Sequence, residues 1–351
     1  MDGSERGAAQ GWRGDVVFLR RVLITLGVIL FVLLLWQVRA ALLLTFAGVV
    51  VAALLLALAR PIEAWSGLSR TWSLAAVGLA LALLLGGAAM LVGGQVQAQM
   101  AVLGEQLPRA MGALEQRLGI DVPTLGEAGV EPSVVGTLAG HVASLGGMVV
   151  SAASALVLAV VGGFFLAADP ALYRQGVLKL LPSGQQARAG DAMEASGEAL
   201  RLWLIAQFIS MVIVGVLAGL GTWALGLPSP LALGLFAGLA GFVPLIGSVA
   251  GAVPALLLAL SEGGNTLIWT ALLFLAIQQV ESNMIMPIVE HRMVSLPPAT
   301  LLFAVVAVGL LFGLPGVLLA APITVVAFVL VKKLYVRQTL GHPTEVPGEG
   351  G

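Results

Sequence analysis

Residues 231–260 form a run of 30 residues without a charge, yet the run is interrupted at its midpoint by Phe242-Val243-Pro244-Leu245-Ile246-Gly247. As one helix it would measure about 45 Å at roughly 1.5 Å per residue, against a hydrocarbon core of about 30 Å. An unbroken helix would need a tilt of about 48°, beyond the usual limit of about 40°. Pro244 lacks an N–H and clashes with the preceding turn, and Gly247 supplies the freedom to reverse. The segment therefore reads as broken, with two arms of about 13 residues, each about 20 Å long. Lipid offers no partner to irregular backbone, which is tolerated at membrane depth only where protein buries it or where it lines a watery cavity. The turn from Pro244 to Gly247 is a candidate lining of a pathway, which Gly247→Leu is expected to block.

The design recurs at 299–331, a second uncharged stretch, interrupted by Phe312-Gly313-Leu314-Pro315-Gly316. Each copy carries a further proline after its break, Pro254 and Pro322. Paired Gly/Pro-interrupted apolar segments point to the binding site of a secondary transporter, which adds Pro315 and Gly316 to the candidate pathway. Two ordinary kinked spans are the alternative. With 59% hydrophobic residues and 10% charged ones and a mean hydropathy of +1.03, the chain reads as an all-α polytopic membrane protein. The expectation is five or six full spans, with the two broken segments as re-entrant hairpins facing each other near the midplane.

The organisation expected along the chain begins with a polar head at 1–21 and three spans within 22–94. The first two, 22–38 and 40–59, are expected to form a tight helical hairpin about Arg39; the third is 74–94. Residues 95–147 bring in acids and an apolar spacing of three and four (Val96, Met100, Leu103, Leu107, Met111), which reads as an extramembrane amphipathic helical segment. A transport core at 148–331 and a tail at 332–351 follow. No small-residue cleavage site follows the first apolar run, so the first span is expected to stay as an anchor. Placing the head inside puts 13 of the 17 basic residues on the cytoplasmic side: four in the head, Arg60 and Arg70, four between 169 and 201, and three in the tail. Both termini are then cytoplasmic in a multi-pass protein of the cell membrane.

Catalytic signatures are missing. The sequence has no GxxxxGK[ST], no HExxH, no GxSxG and no cysteine, so it is not read as an enzyme, and no metal or cofactor is expected. A net charge of −1 without a basic run argues against nucleic acid as a partner. The most informative polar cluster is Gln278-Gln279-Val280-Glu281-Ser282-Asn283. On a helix Gln278, Glu281 and Ser282 share one face while Gln279 and Asn283 share another. Gln278, Gln279 and Asn283 are candidates for the pathway, and Glu281 for carrying a coupling proton or sodium ion, because ionisable groups at such depth mark pathways. Alternatively Glu281 sits at headgroup level, paired with Arg292. Asp169 and Arg201 are further coupling candidates, although Asp169-Pro170 also reads as the stop and restart of a helix. Gln207, one and a half turns past Arg201, is a coupling candidate or an interhelical hydrogen bond.

These motifs carry a resemblance. The run from Leu233 to Gly247 with Gly251 and Pro254, the cluster 278–283 with Pro287, and Leu311-Phe312-Gly313 with Gly316 and Pro322 are similar to the AI-2 exporter (AI-2E) family of membrane permeases. Phe164-Phe165-Leu166 with Asp169, and Arg201 with Gln207, echo it more weakly. Leu245 and Ser282 depart from that pattern, where an aromatic and a glycine are common. The resemblance implies an inner-membrane permease, with members associated with export of the quorum-sensing signal autoinducer-2 and others with sodium/proton exchange. The resulting expectation is a secondary transporter of a small polar solute working by alternating access, in contact with the lipid bilayer and able to form a homo-oligomer. A cation/proton antiporter and a non-transporting assembly protein of the envelope are the alternatives.

Overall fold

The computed structural model describes residues 4–84, 86, 87, 90, 155–244, 246–263, 265–285 and 297–341, and every regular element among them is a helix. Two compact units are distinguished, Met1–Phe46 and Ala47–Gly351. The first is the amino-terminal part of α1, Ser4–Ser66. Within it Thr25 and Thr45 donate their hydroxyls back to the carbonyls of Arg21 and Ala41, and the Arg39 guanidinium lies 4.0 Å from the centre of the Trp36 ring.

The hairpin expected about Arg39 is not formed, because α1 runs unbroken through it. Val38-Arg39-Ala40-Ala41 offers no glycine, proline, asparagine or aspartate to reverse the chain, and alanine and arginine are good helix formers. A charge between two apolar runs marks no turn by itself. With that reversal goes the reason for placing the head on the same side as Arg60 and Arg70.

In the second unit the remainder of α1 packs against α2, Arg70–Leu84, and α3, Ala155–Ala168, around Leu55, Ala59, Leu74 and Ala167. A Cβ on Gly163 would collide with Val51 and with the Gly48 carbonyl, so α1 and α3 touch backbone to backbone. The chain bends by 88° between α3 and α4, Pro170–Lys179. The Asp169 carboxylate accepts from the Leu172 N–H at 3.1 Å, and Pro170 occupies the first turn, where its missing N–H costs nothing. The stop-and-restart reading of Asp169-Pro170 is therefore the geometry observed.

Helix α5, Ser183–Ala224, forms one continuous rod from the charged stretch ending at Arg201 through the apolar stretch that follows it. It is followed by α6, Pro230–Ala240, α7, Ile246–Glu262, and α8, Thr266–Val280, which ends in a π-helical turn at Glu281–Ile285. Then come α9, Pro298–Phe312, and α10, Leu314–Leu330, prolonged by a π turn over Val331–Arg337. Three described stretches are long and apolar enough to cross a membrane: Arg20–Ser66, Ser183–Ala224 and Leu314–Arg337. The expected third span, 74–94, runs into residues outside the described ones, the first residues of the transport core, 148–154, lie outside them, and so does all of the amphipathic segment.

Both breaks exist. The first separates arms of 11 and 17 residues, not two equal ones. Its arms reverse on each other: Leu233 of α6 shares a cluster with Ala255 and Ala259 of α7 and with Leu227 of the α5–α6 turn, so both far ends return to one place. The second break is at Gly313, whose φ of 68° and ψ of −151° suit glycine alone. Its second arm reaches 24 residues with the π turn, long enough to be a span by itself.

Candidate functional site

The close packing of α5 on α6 fixes the first break. Gly215 and Gly219 face Gly234 and Gly238, two GxxxG pairs meeting across the contact. A Cβ at Gly234 would lie 2.6 Å from the Gly215 carbonyl oxygen, and one at Gly238 would lie 2.7 Å from that of Met211. Small residues at this spacing let backbones approach in the way membrane helices require. α6 descends along α5 until its carboxyl end meets Trp203 and Gln207. There Phe242 packs edge-on against Trp203, 5.9 Å between ring centres, and buried Gln207 donates to the Gly241 carbonyl at 2.6 Å. Gln207 is thus the interhelical hydrogen bond that the sequence offered as one of its two readings, and its partner is the break.

Within this turn the backbone donors of the described residues are occupied. Gly241, Phe242 and Val243 donate to the carbonyls of Ala237, Leu239 and Ala240, while Ile246 and Gly247 donate to Pro244 and Val243. Gly247 is buried, and a Cβ there would run into the Ala240 carbonyl, so this glycine is a packing requirement of the hairpin. Gly247→Leu therefore strikes the fold as well as any pathway.

α8 returns beside α5, with Leu273 against Gly221 and Ile277 against Val214. It carries Glu281 to Ser210, whose hydroxyl donates to the Glu281 carboxylate at 3.3 Å. Gln207 and Ser210 stand one turn apart on α5, so the break and the acid share one depth, roughly 9 to 14 Å along α5 from Arg201. The helix turns to π geometry at Glu281 itself, a distortion that often accompanies functional sites. Asn283 donates to the Gln279 carbonyl at 3.0 Å and its side-chain oxygen at 2.7 Å, so these two do share a face. Gln278 and Glu281 are half-buried, whereas Gln279, Ser282 and Asn283 are exposed. Pro287, His291 and Arg292 lie outside the described residues, and with them the expected pairing of Glu281 with Arg292.

The structure brings together Gln207, Ser210, Glu281 and the turn 241–247. It leaves out Pro315 and Gly316. Lys333, at the end of α10, lines the same cavity as Arg201. Gly316 lies 17 residues earlier on that helix, roughly 26 Å away. The two breaks thus sit at different depths instead of facing each other at the midplane, because one follows a short arm and the other precedes a long one. Arg201 pairs with Glu198 at 2.9 Å, one turn back on α5, and Asp169 serves its helix cap. Ser210 and the paired GxxxG contacts were missed by the sequence reading, although the i, i+4 glycine spacing was there to find. Among the described residues no group of three or more His, Cys, Asp or Glu could hold a metal ion.

Known proteins give this geometry its context. The family model described as AI-2E family transporter matches residues 25–335. YrrI of Bacillus subtilis, named as a transport protein, is 31% identical over 168 residues, 48% of each chain. MT0215 of Mycobacterium tuberculosis, also named for transport, is 34% identical over 162 residues, 45% of this chain and 43% of that one. PerM of Escherichia coli, named as a permease, is 24% identical over 214 residues, 57% and 60%. The alignments span about half the length of the curated relatives. The family match itself takes in both broken segments, the Gln207 and Ser210 positions and the Glu281 cluster. With a family match over most of its length, on a chain with long apolar helices and two broken ones, the protein belongs to the AI-2E transporter family.

Proposed function

We propose that the protein is a secondary permease of the inner membrane that exports a small polar solute, of the autoinducer-2 type, by alternating access. The observation that carries this reading is the shared depth of the Gln207–Gly241 bond and the Ser210–Glu281 bond, made by neighbouring turns of α5. A coupling ion at Glu281, proton or sodium, is then felt by the same helix that holds the broken hairpin. The described donors of the turn are taken by nearby backbone carbonyls, so side chains carry solute selection, with Gln278, Gln279 and Asn283 as the polar candidates. The hairpin enters from the side opposite Arg201 and ends inside the membrane. Arg60, Arg70, Arg201 and Lys333, which border one cavity, face the cytoplasm by the bias of basic residues, which puts the tail there too.

Cation/proton exchange is the second reading, favoured by the half-buried Glu281 carboxylate, which accepts a hydrogen bond from the Ser210 hydroxyl. Proteoliposomes holding the purified chain decide between them, with an imposed proton or sodium gradient and with or without autoinducer-2-like polyols. Gradient-driven solute flux that disappears in Glu281→Gln, with folded protein retained, supports the permease. Gradient dissipation without added solute supports exchange. Silence in every condition leaves neither and favours an assembly role for the amphipathic segment.

A further inference from the structure

A second polar region lies along the amino-terminal half of α5, beside the junction of α3 and α4. Arg60 follows the apolar part of α1, Arg201 precedes that of α5, and Lys333 closes that of α10. With Arg70 and Arg174 they border one cavity of about 910 Å³, toward the upper end of the range of about 300–1,000 Å³ seen for ligand pockets. Three carboxylates share it, which leaves an excess of two positive charges. Two of those acids are already engaged, Glu194 with Arg174 at 3.0 Å and Glu198 with Arg201 at 2.9 Å. The Arg201 Nε is buried without a hydrogen-bond partner, a donor whose desolvation a bound oxygen would offset. Part of the lining is apolar, formed by Ala52, Ala53 and Leu56 of α1, the last one turn before Arg60, and by Leu166 of α3.

A cavity with a basic rim at the ends of apolar stretches and a partly hydrocarbon lining fits an amphiphile with an anionic head. We propose that it binds an anionic phospholipid, the phosphate against Arg60, Arg201 and Lys333 and the first part of an acyl chain along Leu56 and Leu166. Basic pockets between membrane helices recognise such headgroups by charge, and guanidinium groups match phosphate oxygens in pairs. Arg70 is partly committed elsewhere, donating to the Ala167 carbonyl at 3.1 Å, and so acts as a fixed wall of the site.

The test uses the full chain, purified in detergent, stripped of lipid and titrated with phosphatidylglycerol, with phosphatidylcholine of the same chains, and with inorganic phosphate, retention being read by native mass spectrometry. Phosphatidylglycerol is expected to bind and phosphatidylcholine not. The double variant Arg60→Gln/Lys333→Gln should weaken phosphatidylglycerol about thirtyfold, at about fivefold per basic residue, while Arg60→Lys/Lys333→Arg keeps it. Each single substitution to Gln is read in the same way, so a double variant that fails to fold does not shield the proposal. Equal retention of the two lipids overturns it, as does phosphatidylglycerol binding that ignores the charge changes. Displacement of the lipid by inorganic phosphate at comparable concentration also overturns it, by assigning the site to a soluble anion.

Discussion

The two broken segments look alike as sequences and differ in how they are held. The first is fastened along one arm: α6 lies against α5 through four glycines, and its end is tied by Gln207. The second is made by conformation at one residue, Gly313, and its long arm α10 runs on to the basic cluster. No described residue of the first turn has a positive φ, whereas the second turns on one. Interruption of an apolar run therefore has two meanings here: a short hairpin locked by contact, and a break between one short helix and one that can span.

Glycine substitutions separate these meanings most sharply. Gly234→Ala places a methyl against the backbone of Gly215 and Gly219, neither of which can move without shifting α5. A cost of about 3 kcal/mol is expected, at the upper end for overpacking, with Gly234→Leu preventing accumulation of folded protein. Gly309→Ala in α9 meets only one methyl of Val317, a side chain able to adjust. There the gain in helix propensity, up to about 1 kcal/mol, should leave stability unchanged or slightly raised. Thermal unfolding in one detergent measures both, and equal losses would remove the distinction.

At the turns themselves the order of cause reverses. Gly313→Ala is expected to cost about 1–3 kcal/mol from backbone strain, although no heavy atom lies within 4 Å of the added Cβ. Gln207→Leu removes the donor to the Gly241 carbonyl, at about 1–2 kcal/mol, and should raise protease sensitivity around 241–247 before the rest of the chain loosens. Uniform sensitivity across both segments would mean that Gln207 acts on α5 as a whole.

How far this was legible follows from the kind of signal. Runs without charge and the dipeptides that break them report on single residues, so both breaks, the Asp169-Pro170 restart and the Glu281 cluster are visible in the sequence. Depth is not, because it depends on where each arm starts: Gly241 is set by α6 beginning at Pro230, Gly316 by α10 continuing to Arg337. The false hairpin at Arg39 came from reading a lone charge as a loop, when a long arginine can lie along its helix over Trp36. Ser210 had no local mark at all, since a serine in an apolar helix acquires meaning only when Glu281 arrives opposite it from 71 residues away.

That contact supports the smallest and most informative substitution. Ser210→Ala removes one hydroxyl from the Glu281 carboxylate and, at about 0.6 kcal/mol for a membrane hydrogen bond, barely alters unfolding. Its effect should instead fall on ion dependence. If Glu281 takes up a coupling ion beside Ser210, the concentration of that ion needed for half-maximal flux in Ser210→Ala proteoliposomes should shift, upward for sodium, which loses a hydroxyl oxygen, and downward for protons, because the carboxylate loses a donor, with the maximal rate kept. The shift should be about threefold, the equivalent of that same hydrogen bond. Thr324→Ala on α10, whose hydroxyl only returns to the Ala320 carbonyl, removes a hydroxyl from the other segment and should leave the ion dependence where it was. An equal shift in both variants would detach the coupling ion from Glu281 and make the Ser210 contact a matter of packing, whereas a shift confined to Ser210→Ala ties the ion to the depth at which the first hairpin ends.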